Sequence, residues 1–199
     1  MSINPLNFAL DAYASIHLIT QGYITMKKNI IPLLILAALT GCASPATKEA
    51  MLINSETIQT VNPVQKGKFT VAAVTGGKAT NPMWTSQVSQ ENFEGALKES
   101  LILAGLTATD ANGTQYKIDA NLVSLEQPLI GLTFDVVSNV NYRVYKDGFE
   151  KVLPIKATGT ATFSDAAVAI ARLRIANEKS IQNNIAEFIK QLGKVAEIQ

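Results

Sequence analysis

Apolar residues return along this chain at two different intervals, and the intervals assign the elements. Phe93, Ala96, Leu97, Ser100, Leu101 and Ala104 recur at i, i+3, i+4, i+7, i+8 and i+11, one face of a helix expected from about Val88 to Ala104. Ser86 or Ser89 can cap its start, and Gly105 can end it. Tyr116, Ile118, Ala120 and Leu122 instead alternate with Lys117, Asp119 and Asn121, as a strand with one wet face does. Earlier, KFTVAAVTG (68–76) is β-rich and predicts a strand that turns at Gly76-Gly77.

Residues 132–163 form the most constrained stretch. Asp147-Gly148 signals a two-residue hairpin turn, so facing residue numbers should sum to 295. In that register Leu132 faces Phe163, Phe134 faces Ala161, Val136 faces Gly159, Ser138 faces Ala157, Val140 faces Ile155 and Tyr142 faces Leu153. The intervening pairs, such as Asp135 with Thr160 and Asn139 with Lys156, are mostly polar. A slip of one residue would oppose the apolar set of one strand to the polar set of the other. Pro154 has no N–H to give, which predicts an edge strand or a bulge. Ser138, Ala157, Gly159 and Ala161 are small and leave a trough for a helix.

A final helix fits that trough, capped by Ser164 or Asp165 and running about 28 residues to Leu192, with Asn177 as a candidate kink. Its apolar stripe is Leu173, Ala176, Ser180, Ile181, Ile185, Phe188, Ile189 and Leu192. Arg172, Arg174, Glu178, Lys179, Gln182, Glu187 and Lys190 are left for water. The order β-α-β-β-β-α predicts an α+β two-layer sandwich, a mainly antiparallel sheet with two helices on one face, over residues 66–199.

Upstream, Lys27-Lys28, an apolar run from Ile30 to Leu39 and small residues thereafter have the layout of a secretory signal, at 26–41, and the run is too short to span a bilayer. Residues 1–25 carry no basic cluster and read as a start placed ahead of the real one, Met26. Residues 42–65, rich in Ser, Thr, Ala, Asn and Pro, suit a tether.

Removing the signal changes the chemistry on offer. The chain's single histidine, His17, would be discarded, and with it every Ser-His-Asp or Cys-His pair. Zinc sites built on histidine and cysteine fall for the same reason, and nothing in the spacing calls for a cofactor. Without Lys27, Lys28 and Asp11, the 17 basic and 16 acidic residues become 15 of each. That balance, with no basic tract, lacks a nucleic-acid footprint. Cys42 has no second cysteine to bridge.

Gly76-Gly77-Lys78 between strand and helix invites a phosphate-loop reading, but the glycine spacing and the distance to the helix do not fit; a turn needing positive φ does. Trp84 beside Asn81 is either a plug for the core or an aromatic anchor for a partner. Arg172 and Arg174, at i and i+2, do not share a helix face and suit solvation or ion pairing more than an anion site. These seven residues are the candidate partner-binding set. The carboxylates Asp119, Asp135 and Asp165 do not assemble into an acid/base pair.

The motif Leu39-Thr40-Gly41-Cys42 resembles the lipobox of bacterial lipoproteins. With VTGGKATNPMWTS and ARLRIANEKSIQNNIAEFI, it makes the chain similar to small uncharacterised proteobacterial outer-membrane lipoproteins. In element order it is loosely similar to periplasmic accessory lipoproteins. The resemblance implies cleavage before Cys42, a diacylglyceryl group on its sulfur and an acylated amine carrying a chain such as palmitate. Ala43 and Ser44, with no aspartate, imply outer-membrane sorting. The expected mature protein is held by lipid and binds an envelope protein or its own copies. An envelope enzyme using a hydroxyl and a lysine, or a carrier of an apolar ligand between sheet and helix, are the alternatives. A void lined by Val136, Val140, Ile155 and Phe188 would favour the carrier.

Overall fold

The computed structural model describes residues 43–80, 86–109 and 115–195. The chain divides into Met1–Gly41 and Cys42–Gln199, and every described residue belongs to the second unit. The signal segment, Cys42, Asn81 and Trp84 lie outside the described residues.

Four strands form one mixed sheet in the order β1-β2-β3-β4: β1 Phe69–Gly76, β2 Tyr116–Glu126, β3 Phe134–Lys146 and β4 Phe149–Ala161. β1 runs parallel to β2, with a bulge at residues 71–73, while the other pairs are antiparallel. The β3–β4 register follows the predicted sum from Phe134↔Ala161 to Lys146↔Phe149. Pro154 sits on β4, an edge strand, where its missing N–H costs the ladder nothing. The expected Leu132–Phe163 pair is not made: both residues lie beyond the strand ends and are exposed. The apolar alternation continues past the point where the two chains part.

One sheet face carries both long helices. A short helix α1, Ser55–Gln59, precedes the sheet; α2, Gln90–Leu103, crosses between β1 and β2; α3, Ala169–Leu192, follows β4. α2 is capped by Ser89, whose hydroxyl accepts from Asn92 N–H, and the chain leaves it through Gly105 at φ +68°. Its buried Phe93, Ala96, Leu97 and Leu101 join Ile118, Val140, Tyr142, Ile185 and Phe188 in one core. The expected stripe of α3 is buried throughout.

α3 sits in the small-residue trough at backbone distance. A Cβ built on Gly159 would lie 2.1 Å from Ser180 N and 2.3 Å from Ala176 O. Ser138 Oγ donates to Ser180 O (3.1 Å), Ser180 Oγ donates to Ala157 O (3.1 Å), and Asn184 bridges Tyr142 OH to Ser138 and Ile155 O. Tyr142 stacks on Phe188 with ring centroids 3.9 Å apart, and burial pushes its phenol pKa well above the ordinary value.

Four expectations are corrected. Residues 42–65 are not a free tether over their described part: Ala46 and Met51 are fully buried, Ile53 joins the same core, and Gln65 donates from a buried side chain to Leu192 O. The composition looked like a linker because Asn54 and Asn62 satisfy the backbone locally, accepting from Thr57 N–H and Val64 N–H. α3 starts at Ala169 with no side-chain cap, since Asp165 turns back to accept from Thr162 N–H at 2.7 Å. Arg172 and Glu178, expected in water, are buried, because loops and the N-terminal segment cover that side of the helix. Asn177 makes no break in α3; its amide is spent on neighbouring loops.

The seat of α3 is testable. Gly159→Ala should cost about 2–3 kcal/mol in urea denaturation, as overpacking against rigid backbone does. Ala157→Gly in the same trough should cost less than that.

Candidate functional site

The strand register places four chain segments at one end of the sheet. Gly76 of β1 pairs with Leu122 near the end of β2, and β3 begins, and β4 ends, at the same edge. The turn after β1, the β2–β3 loop and the segment after β4 therefore share this end. The N-terminal residues 44–47 join them, since Ala46 N–H donates to Gln87 O.

Gly76 and Gly77 take φ +82° and +85°, the positive values that the turn was expected to need. Space excludes any side chain as well: a Cβ on Gly76 would lie 2.1 Å from Leu122 O, and one on Gly77 2.8 Å from Val88 O. Lys78 N–H is already committed to Val88 O at 2.9 Å, so that amide is not offered to a phosphate. Thr80 Oγ1 closes the loop by accepting from Gln87 N–H and donating to Gln87 O. A cleft of about 290 Å³ remains between residues 76–78, Gln87 and residues 122–125.

Amide side chains join this turn to the rest of the site. Ser86 O accepts from both Asn177 and Gln127 at 3.0 Å, Gln127 also donates to Asn177 Oδ1 at 2.8 Å, and Gln87 donates to Gln127 Oε1. Ser86 Oγ donates to Ser44 O at 2.8 Å. One partly buried network thus ties the N-terminal segment, the β1–α2 loop, the β2–β3 loop and α3 together. Such a network rigidifies what it joins because each unmet partner would cost about 1–3 kcal/mol.

Arg172 and Arg174 diverge, as i and i+2 positions must. Arg172 is 4% exposed and donates from Nη1 to Ala166 O and Ala167 O, both 2.8 Å, and from Nη2 to Gly131 O at 3.4 Å. Its guanidinium stands 5.4 Å and 5.5 Å from the ring centroids of Phe134 and Phe163. It fastens the β2–β3 loop to the segment after β4. Arg174 faces Glu178 at 3.8 Å, beside Ser44. Glu178 also accepts from Thr47 N–H at 3.0 Å, yet burial pushes its carboxyl above the ordinary value against the pull of Thr47 and Arg174.

Gly76, Gly77, Lys78, Arg172 and Arg174 therefore belong to one end of the domain, connected through residues 127–131. Gln127 and Asn177 are what connect them, and no periodicity marks an amide pair that joins a half-buried loop residue to a buried helix residue. Nor did the pattern single out the exposed apolar residues of this end: Leu129, Ile130, Leu132, Phe163 and Val168. Their signal was present as an apolar triplet in a Pro-Gly loop, QPLIGLT, where an ordinary turn would be polar. Among the described residues, no group of three or more His, Cys, Asp or Glu could hold a metal ion. None of the described helices is long and apolar enough to cross a membrane.

Two outcomes check this geometry. Arg172→Met should cost about 2 kcal/mol, because three carbonyls lose a charged donor, and should speed hydrogen exchange in residues 162–168 and 127–133. Asp165 is held at a pKa of about 2, below its usual 3.8, by Thr162 N–H first and Lys179 second. A depressed carboxylate stabilises above its unfolded value and loses that contribution as pH falls through the folded one. The Thr162 amide resonance should therefore titrate near pH 2 while the sheet amides do not.

No family model and no curated protein matches the chain. Solved structures superpose on it weakly. Protein XCC0632 from Xanthomonas campestris, assigned to the family model DUF330, is 11% identical at a TM-score of 0.45, covering 69% of this chain and 91% of its own. The hypothetical protein CT253 from Chlamydia trachomatis is 10% identical at 0.43, covering 64% and 96%. A "putative lipoprotein" from Caulobacter crescentus CB15 is 14% identical at 0.42, covering 70% and 94%. The chain is thus similar, at low identity, to a DUF330 protein and to a protein described as a lipoprotein.

Proposed function

We propose that this chain is a lipid-anchored envelope lipoprotein of the outer membrane whose domain acts as a non-enzymatic binding or accessory module. The observation that carries the reading is Leu39-Thr40-Gly41-Cys42 closing a short apolar run behind Lys27-Lys28. Two or more acyl chains at Cys42 would hold the protein stably, where one would hold it only reversibly.

The site's chemistry supports binding over turnover. Its amide side chains pair with one another, the terminal nitrogens of Arg172 are taken by carbonyls, and Arg174 faces Glu178 at 3.8 Å, while the Nε of each arginine is buried without a hydrogen-bond partner. The carrier alternative needs a void around Val136, Val140, Ile155 and Phe188. Those side chains are 0–2% exposed and belong to packed core clusters, and α3 meets the sheet at backbone distance. The cleft beside Gly76-Gly77-Lys78 is the place on this end where a partner's side chain could enter.

Mass spectrometry of the native protein purified from membranes should find Cys42 as the first residue, carrying a diacylglyceryl thioether and an acylated amine. An amino terminus upstream of it, or a free thiol, overturns the reading. Density fractionation should place the acylated form with the outer membrane.

A further inference from the structure

Five large apolar side chains protrude from the site's end of the domain: Leu129 (96% exposed), Ile130 (91%) and Leu132 (74%) from one loop, Phe163 and Val168 from another. The two loops, QPLIGLT (127–133) and TFSDAAV (162–168), contain a single charged residue, Asp165, which is engaged by Thr162 and Lys179. They are not slack chain. Arg172 bonds to carbonyls in both, and Phe134, Val136, Ala161, Leu173 and Ala176 form a separate small core beneath them. An apolar cluster displayed this way marks a contact surface.

Where the chain enters the domain says which contact. Ser44 is fixed by Ser86 and lies beside Ile170, Ala171 and Arg174, and Val168 is the residue just before that helix begins. Only two peptide steps, at most about 7 Å, separate Ser44 from Cys42. Acyl chains on Cys42 thus leave the protein next to the apolar loops, with no length of chain to hold the domain away from the leaflet. Leu129 and Ile130 are more than nine-tenths exposed at the loop tip, which puts them within reach of a fluid apolar medium.

Resting on the lipid-anchor reading, we propose that the loops 127–133 and 162–168 insert into the headgroup region of the leaflet that holds the Cys42 acyl chains, seating the domain directly on lipid. Anchoring would then combine covalent chains with apolar side chains at the headgroup boundary.

The test uses full-length lipoprotein purified after acylation, with mass spectrometry of every sample. Cys42 is blocked by its thioether, so Ile130→Cys, or Ile102→Cys on exposed α2 as control, takes a thiol-reactive fluorophore alone. Each is reconstituted in phosphatidylethanolamine vesicles containing brominated phosphatidylcholine. The label at 130 should be quenched by lipid bromine and be about fivefold less accessible to aqueous iodide than the label at 102. Equal iodide access at both positions, on acylated protein, overturns the insertion and leaves the anchor intact. Protection from iodide without bromine quenching also overturns it, and assigns the loops to a protein contact or a second copy. A sample whose Cys42 proves unmodified is a failure of the anchor reading itself.

Discussion

α3 lies closer to the sheet than side-chain packing allows, and the rest of the architecture is arranged around that closeness. At Gly159 the helix backbone occupies the volume where a methyl group would sit. The interface is consequently hydrogen-bonded as well as apolar: the buried side chains of Ser138, Ser180 and Asn184 donate to main-chain oxygens there. Fixing the helix axis so tightly also fixes the direction of its first turns. Arg172, Asn177 and Glu178 reach three different covering segments from there.

That seat was legible in the sequence because two independent patterns had to agree on it. The hairpin register follows from Asp147-Gly148 and from alternation on both strands, and it alone lines up Ser138, Ala157, Gly159 and Ala161. The helix stripe follows from a different period. What could not be read is whatever depends on contacts between distant, unpatterned residues. Gln127 and Asn177 are fifty positions apart and polar, so neither period exposes them. Met51 and Ile53 sit in a segment of linker-like composition, and their burial requires knowing that α3 leaves a side uncovered. The start of α3 was misplaced for a related reason. Asp165 is a fine helix cap by type, but its carboxylate is taken by Thr162 and Lys179.

Gly76 and Gly77 keep the turn expected of them, whereas Arg172 departs from its expected setting. Gly76 and Gly77 are where backbone approaches backbone, which is what a glycine pair at a strand's end most often means. Arg172 was weighed as solvated or ion-paired and is neither, since carbonyl oxygens alone surround its terminal nitrogens. That use of a guanidinium turns two loops into one platform. The fastening of residues 44–47 to the same end makes that segment part of the domain.

Pro154 on the outermost strand has a further meaning wherever copies of the chain meet at high concentration. There an open row of strand amides would template sheet-to-sheet polymerisation. β4 interrupts that row with an imino acid and places Lys151 and Lys156 on either side of it. Neighbouring copies can therefore crowd together without zippering into fibres.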